Sequence, residues 1–175
     1  LSRFGACCTF SALAVRQRPL EGIRMIGILI IAHGNLGDSL IGCMTHVLGK
    51  KPDGIAAIQV AGTDSPRELL PSAQRMVAAL DEGDGVLIIT DIFGASPSNL
   101  ACKLLVPGRI EAITGANVPM LVRAITYRGR GMETLLKRVV SGGCEGVFHI
   151  AADPILGPSV AQSAANEGAP VLARQ

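Results

Sequence analysis

The sequence has no tryptophan, and its aromatic content of 3% is far below what an all-β core usually carries. Gly, Ala, Val, Ile and Leu dominate instead, a composition suited to a parallel sheet covered by small-residue helices. An excess of either charge is also missing. Sixteen Lys and Arg against fourteen Asp and Glu leave a net charge of +2, which gives no reason to expect nucleic acid or a membrane surface as a partner. The longest strongly apolar run covers residues 25–32, far short of the roughly 20 residues that a membrane-spanning helix needs.

Several signatures are absent as well. The five cysteines (Cys7, Cys8, Cys43, Cys102 and Cys144) are odd in number and show no C-x-x-C spacing, and they lie mostly in apolar periodic stretches. They are expected to be reduced, buried and structural. Three scattered histidines without an acidic cluster argue against a metal centre. There is no phosphate-binding G-x-x-x-x-G-K-[ST], no G-x-G-x-x-G and no G-x-S-x-G, so neither a nucleotide cofactor nor a hydrolase elbow is indicated.

What is present is a repeated strand, loop and helix pattern in a chain whose length suits one domain. Residues 25–32 (MIGILIIA) form a continuous apolar run, as a strand buried on both faces should. Helical spacing follows over residues 36–48, with Gly49 placed to stop it. Residues 55–60 read as a second strand. Ser65 and Pro66 then open a helix whose apolar face carries Leu69, Leu70, Ala73, Met76, Val77 and Leu80. A third strand at 86–90 leads through a polar turn into a helix at 98–106. Residues 110–114 make a fourth strand, helices follow near 119–125 and 132–140, and residues 146–150 are a candidate last strand. Residues 1–24 show no clear periodicity and read as a leader without a structural role. Residues 151–175 read as a tail, with a short helical pattern near 160–166.

This alternation predicts an α/β, doubly wound fold: a mainly parallel sheet with helices on both faces. In such sheets ligands sit beyond the carboxyl ends of the strands, where the strand order reverses. For the common order 2-1-3-4 that point lies between the first and third strands. The residues emerging there are Ala32-His33-Gly34 and Asp91-Ile92-Phe93-Gly94. A histidine and an aspartate would thus meet in one crevice. A carboxylate that accepts one ring N–H fixes the tautomer and leaves the other nitrogen free to attack phosphorus. Backbone amides near Gly34 and the Ser96 hydroxyl could hold the phosphoryl oxygens. Asp91 could equally be a turn former, and Ser96 and Asn99 ordinary helix caps; spacing leaves these readings open. His46 and His149 are read as structural.

Three segments, IIAHGNLGDSL, VLIITDIFGASPSNLA and ITGANVPML, resemble the mannose-family enzyme IIA domains of the bacterial sugar phosphotransferase system. The resemblance spans residues 25–150. It implies a cytoplasmic phosphoryl carrier in which His33 accepts the phosphoryl group from phospho-HPr and passes it to a IIB domain or a regulatory protein. By the same resemblance Asp91 orients His33, and Gly34, Gly94 and Ser96 bind the phosphate. Phe93, Pro97, Asn117, Pro119 and Met120 would belong to the active-site loops or the partner surface. The family also implies a homodimer that exchanges its antiparallel last strand, for which residues 146–150 are the candidate, and no cofactor. This chain departs from the family pattern at Ala95, where a glycine is usual, and at Ser98, where an aromatic is common. The same fold could also serve as a non-catalytic regulatory module or as the phosphoryl donor subunit of a dihydroxyacetone kinase.

Overall fold

The computed structural model describes residues 24–150. Four strands, β1 (Gly27–His33), β2 (Ile55–Val60), β3 (Val86–Thr90) and β4 (Ile110–Thr114), form one parallel sheet in the order β2-β1-β3-β4. The chain is therefore a doubly wound α/β fold with the expected strand order. β1 sits at the centre and, apart from His33 at its tip, every residue of the strand is buried. Its unbroken GILIIA run cannot alternate polar and apolar because both of its faces are covered.

The strand's alternate side chains feed two cores. Ile28, Ile30 and Ala32 point into a core shared with α1 (Leu36–Leu48), α4 (Val118–Tyr127) and α5 (Met132–Glu145). Leu29 and Ile31 point the other way, onto α2 (Pro66–Leu80) and α3 (Ser96–Cys102). Full burial of each such Leu or Ile contributes about 1.5–3 kcal/mol, so the centre of the sheet is also its most strongly fixed part. That rigid strand carries His33.

Gly37 lets α1 approach the sheet closely just beyond His33. A Cβ at this position would lie 2.9 Å from the Ala57 Cβ. At its far end α1 stops at Gly49, which adopts the left-handed conformation expected of a terminating glycine. α2 starts as anticipated, with the Ser65 hydroxyl accepting from the Arg67 amide and Pro66 in its first turn.

Three expectations need correction. The helix expected at 98–106 begins earlier, at Ser96, and ends at Cys102. Pro97 sits in its first turn, where a missing N–H costs nothing, and Val106 turns away to make an isolated antiparallel bridge with Ile110. The final helix runs on to Glu145, straight through Gly142 and Gly143. These glycines lower helix propensity by about 1 kcal/mol each, but a Cβ on Gly142 would lie 2.3 Å from Arg123 Cγ, and one on Gly143 would lie 2.9 Å from Met120 Cε. Close packing against α4 outweighs local propensity. Lastly, Cys43, Cys102 and Cys144 are free but exposed rather than buried. They occupy the outer faces of their helices.

Among the described residues the candidate strand at 146–150 joins no sheet: the Gly146 and Val147 amides bond back to Gly142 and Cys144, and Val147, Phe148 and Ile150 are exposed. A strand needs a neighbour for its N–H and C=O groups, and none lies alongside here. The leader (residues 1–23) and the tail with its helical pattern near 160–166 lie outside the described residues. No helix among the described residues is long and apolar enough to cross a membrane.

Candidate functional site

The site forms at the carboxyl tips of β1 and β3, where the strand order reverses. Ile31 pairs with Thr90 across the two strands, so Asp91, one residue on, and His33, two residues on, leave the sheet close together. Asp91 Oδ2 accepts two hydrogen bonds from His33: one from its main-chain N–H at 2.8 Å and one from ring Nδ1 at 2.7 Å. Asp91 Oδ1 accepts from the Ile92 amide at 2.7 Å. An ionised carboxylate can only accept, so Nδ1 carries the proton, and in the neutral ring Nε2 is the nitrogen that keeps its lone pair.

Electrostatics reinforce this arrangement. Burial alone would raise the Asp91 pKa, but the amides of His33 and Ile92 together with the His33 imidazole outweigh it and hold the carboxyl below its ordinary value. Asp91 is thus a stable anion at neutral pH. Its side chain is 13% exposed, whereas that of His33 is 45% exposed. The carboxylate is shielded and the imidazole is the more exposed partner.

Gly94 turns the loop after Asp91 with φ +85°, a conformation that side chains disfavour. Its amide is bonded to the Ser98 hydroxyl at 2.8 Å, and that hydroxyl in turn donates to the Ala95 carbonyl. Ser98 is buried. It closes the loop from inside, a role that the sequence signalled only as a departure from the family's aromatic. The Asn99 side-chain amide reaches the Gly94 carbonyl at 3.4 Å and does not cap α3. Gly34 has φ +53°, and its amide donates to the Val60 carbonyl of β2. The amides of both glycines are therefore spent within the fold. The first-turn amides of α1, at Leu36, Gly37 and Asp38, have no helical acceptor and lie next in sequence to His33.

The remaining sequence candidates separate by depth. Phe93 is 78% exposed and Ile92 60% exposed, so the β3–α3 loop presents an apolar tip beside His33. Pro97 and Met120 are buried and support the loops from below. Asn117 caps α4 through a bond from the Met120 amide at 2.9 Å, and its Nδ2 donates to the carbonyls of Gly115 and Gly143. Pro119 packs where a Cβ on Gly146 would stand. His46 and His149 are exposed and remote in sequence from the pair. Among the described residues no group of three or more His, Cys, Asp or Glu side chains could hold a metal ion.

Residues 27–140 match the family EIIA-man, described as the PTS system fructose IIA component. The chain belongs to this IIA family of the phosphotransferase system. It is 30% identical over 143 residues to the mannose-specific EIIAB component of Escherichia coli (strain K12), an alignment that covers 80% of this chain and 44% of that protein. The chain thus spans less than half the length of that relative. It is also 30% identical over 110 residues to the transcriptional regulatory protein LevR of Bacillus subtilis (strain 168), covering 62% of this chain and 11% of LevR. Among solved structures, the phosphotransferase system component EIIA from Streptococcus agalactiae superposes with a TM-score of 0.64 at 25% identity, covering 71% of this chain and 97% of that one. Membership in the IIA family supports a phosphoryl-carrier role, and the His33–Asp91 pair stands where the doubly wound IIA fold exposes its strand tips.

Proposed function

We propose that this IIA domain carries a phosphoryl group on His33 Nε2, taking it from a phosphohistidine protein of the phospho-HPr type and passing it to a IIB-type or regulatory acceptor. The observation that carries the reading is the Asp91 bond to Nδ1, which leaves Nε2 as the outward-facing lone pair. In the transfer, Nε2 attacks phosphorus as the P–N bond of the donor breaks, and the donor imidazole retains that bond's electron pair. His33 becomes a cationic phosphoimidazole. A carboxylate about 4 Å from such a charge stabilises it by up to about 4 kcal/mol at an effective dielectric of 20, and by less where water reaches the ring. Asp91 supplies that charge.

The dianionic phosphoryl group also needs donors. The free first-turn amides of α1 and the Ser96 hydroxyl supply them, with Gly34 and Gly94 shaping the loops rather than donating. The exposed Ile92–Phe93 tip offers an apolar contact for the donor or acceptor protein. Such a chain of transfers starts from phosphoenolpyruvate, which supports a cytoplasmic location.

Incubation with phosphoenolpyruvate, enzyme I and HPr should add one acid-labile phosphoryl group to the intact mass, and His33→Ala should lose it. An unmodified wild-type protein, or a modified His33→Ala, rejects the carrier reading. The similarity to LevR favours a second reading, in which the phosphorylation state of the same histidine is sensed by a regulatory partner.

We also propose a homodimer. Among the described residues β4 is an edge strand, bridged by Val106 at Ile110 and open beyond it, and Val147, Phe148 and Ile150 are exposed, so the 147–150 segment of a second copy could extend that edge. Sedimentation should give a dimer for the wild type and a monomer for Phe148→Asp; a wild-type monomer at micromolar concentration refutes it.

A further inference from the structure

The Asn117 side chain ties the loop after β4 to the last helix. Its Oδ1 is occupied by the Met120 amide at 2.9 Å. Its Nδ2 bridges two carbonyls, Gly115 O at 3.2 Å and Gly143 O at 3.3 Å. Gly115 in turn donates its amide to the Asp91 carbonyl at 3.0 Å, and Ala116 donates to the Thr90 carbonyl at 3.0 Å. A continuous path therefore leads from α5 at Gly143, through Asn117 and Gly115, to the backbone of the residue whose carboxylate orients His33. A simple helix cap would need only the Oδ1 bond.

The α5 end of this path is built for close contact. A Cβ on Gly143 would lie 2.9 Å from Met120 Cε and 3.4 Å from Asn117 Nδ2, and one on Gly146 would lie 2.4 Å from the Pro119 ring. Glycine at 143 lets the α5 carbonyl and the Asn117 amide meet without displacing Met120 Cε. The exposed 147–150 segment follows directly after this contact.

Resting on the carrier reading above, we infer that Asn117 is a positioning residue: its bridge between Gly115 and Gly143 sets the placement of Asp91 and so holds His33 in the tautomer with a free Nε2. The placement matters because an error of about 1 Å in a reacting group can cost about 100-fold in rate. It also makes the site sensitive to whatever engages the end of α5.

The test uses Asn117→Ser, which keeps a capping oxygen and adds no charge but removes both Nδ2 bonds, and Gly143→Ala, which pushes on the bridge from the α5 side. Imidazole 15N shifts read the His33 tautomer directly, and phosphoryl uptake from phospho-HPr reads the rate. In both folded variants the Nδ1–H population should fall and uptake should slow about tenfold to 100-fold. An unchanged tautomer, with or without slower uptake, overturns the proposal, because a merely structural role would leave the ring unaffected. If the tautomer shifts while even the wild type takes up no phosphoryl group, the positioning role stands and the carrier reading falls.

Discussion

Asp81 and Asp91 occupy opposite ends of the same sheet and look alike at first. Both side chains are nearly buried, at 11% and 13% exposure. Each accepts bonds from two main-chain amides and one side chain. Asp81 holds Gly83, Gly85 and Arg109, and Asp91 holds His33, Ile92 and the His33 ring. Burial alone would raise both pKa values, and in both cases the hydrogen bonds and the neighbouring cation or imidazole outweigh it, so both fall below the ordinary value. The difference lies in the third partner. Arg109 is always charged and has no lone pair to offer, so its pairing with Asp81 can only fasten the loops before β3 and β4. A neutral imidazole has one nitrogen to give to the carboxylate and another left over. The same carboxylate chemistry makes a fastener at one end and, on the carrier reading, a reactive site at the other.

The comparison breaks most sharply at Asp91. Asp91→Asn can set an amide N–H₂ against Nδ1, which selects the tautomer whose Nε2 is protonated. Phosphoryl uptake should then fall at least about 100-fold, as expected when a catalytic imidazole is held in the wrong tautomer. The melting temperature should fall only modestly, because the amide oxygen still accepts from the Ile92 N–H while the His33 main-chain N–H loses its acceptor. Uptake at the wild-type rate, followed by intact mass over time, would remove Asp91 from the mechanism.

Asp81→Ala should do the reverse. It strands the Gly83 and Gly85 amides and costs about 1–3 kcal/mol in denaturant melts, with uptake unchanged. The sign of its pH dependence follows from the lowered folded-state pKa. The stabilisation is complete above the unfolded value of about 3.9 and is lost as pH falls through the folded one. The deficit of Asp81→Ala should therefore be full at neutral pH and shrink in acid. A deficit that does not depend on pH would assign the loss to packing rather than to the carboxylate.

The sequence made the sheet legible because its signals were redundant. Three of the four strands match their apolar runs to the residue, and β1 is displaced by only two residues at its start, where Met25 and Ile26 precede the ladder. The pairing of His33 with Asp91 followed from strand order alone. What was not legible depended on contacts distant in sequence. The extension of α5 through Gly142 and Gly143 is decided by Arg123 and Met120 on another helix. Ser98 is chosen as the loop's internal brace by a buried geometry that no local pattern encodes, and the use of the Gly34 amide depends on Val60 in a neighbouring strand. Arg128 was missed entirely. It is 8% exposed and joins the end of α4 to the Asp53 carbonyl before β2, a contact between parts of the chain 75 residues apart.

One oxygen of Asp91 receives both the main-chain and the ring N–H of His33, while the other is kept by Ile92. Two of these three tethers come from backbone amides and do not depend on the state of the imidazole. Under the carrier reading, the anion stays in place whatever the ring's position, so the pair can re-form without the loop having to reassemble.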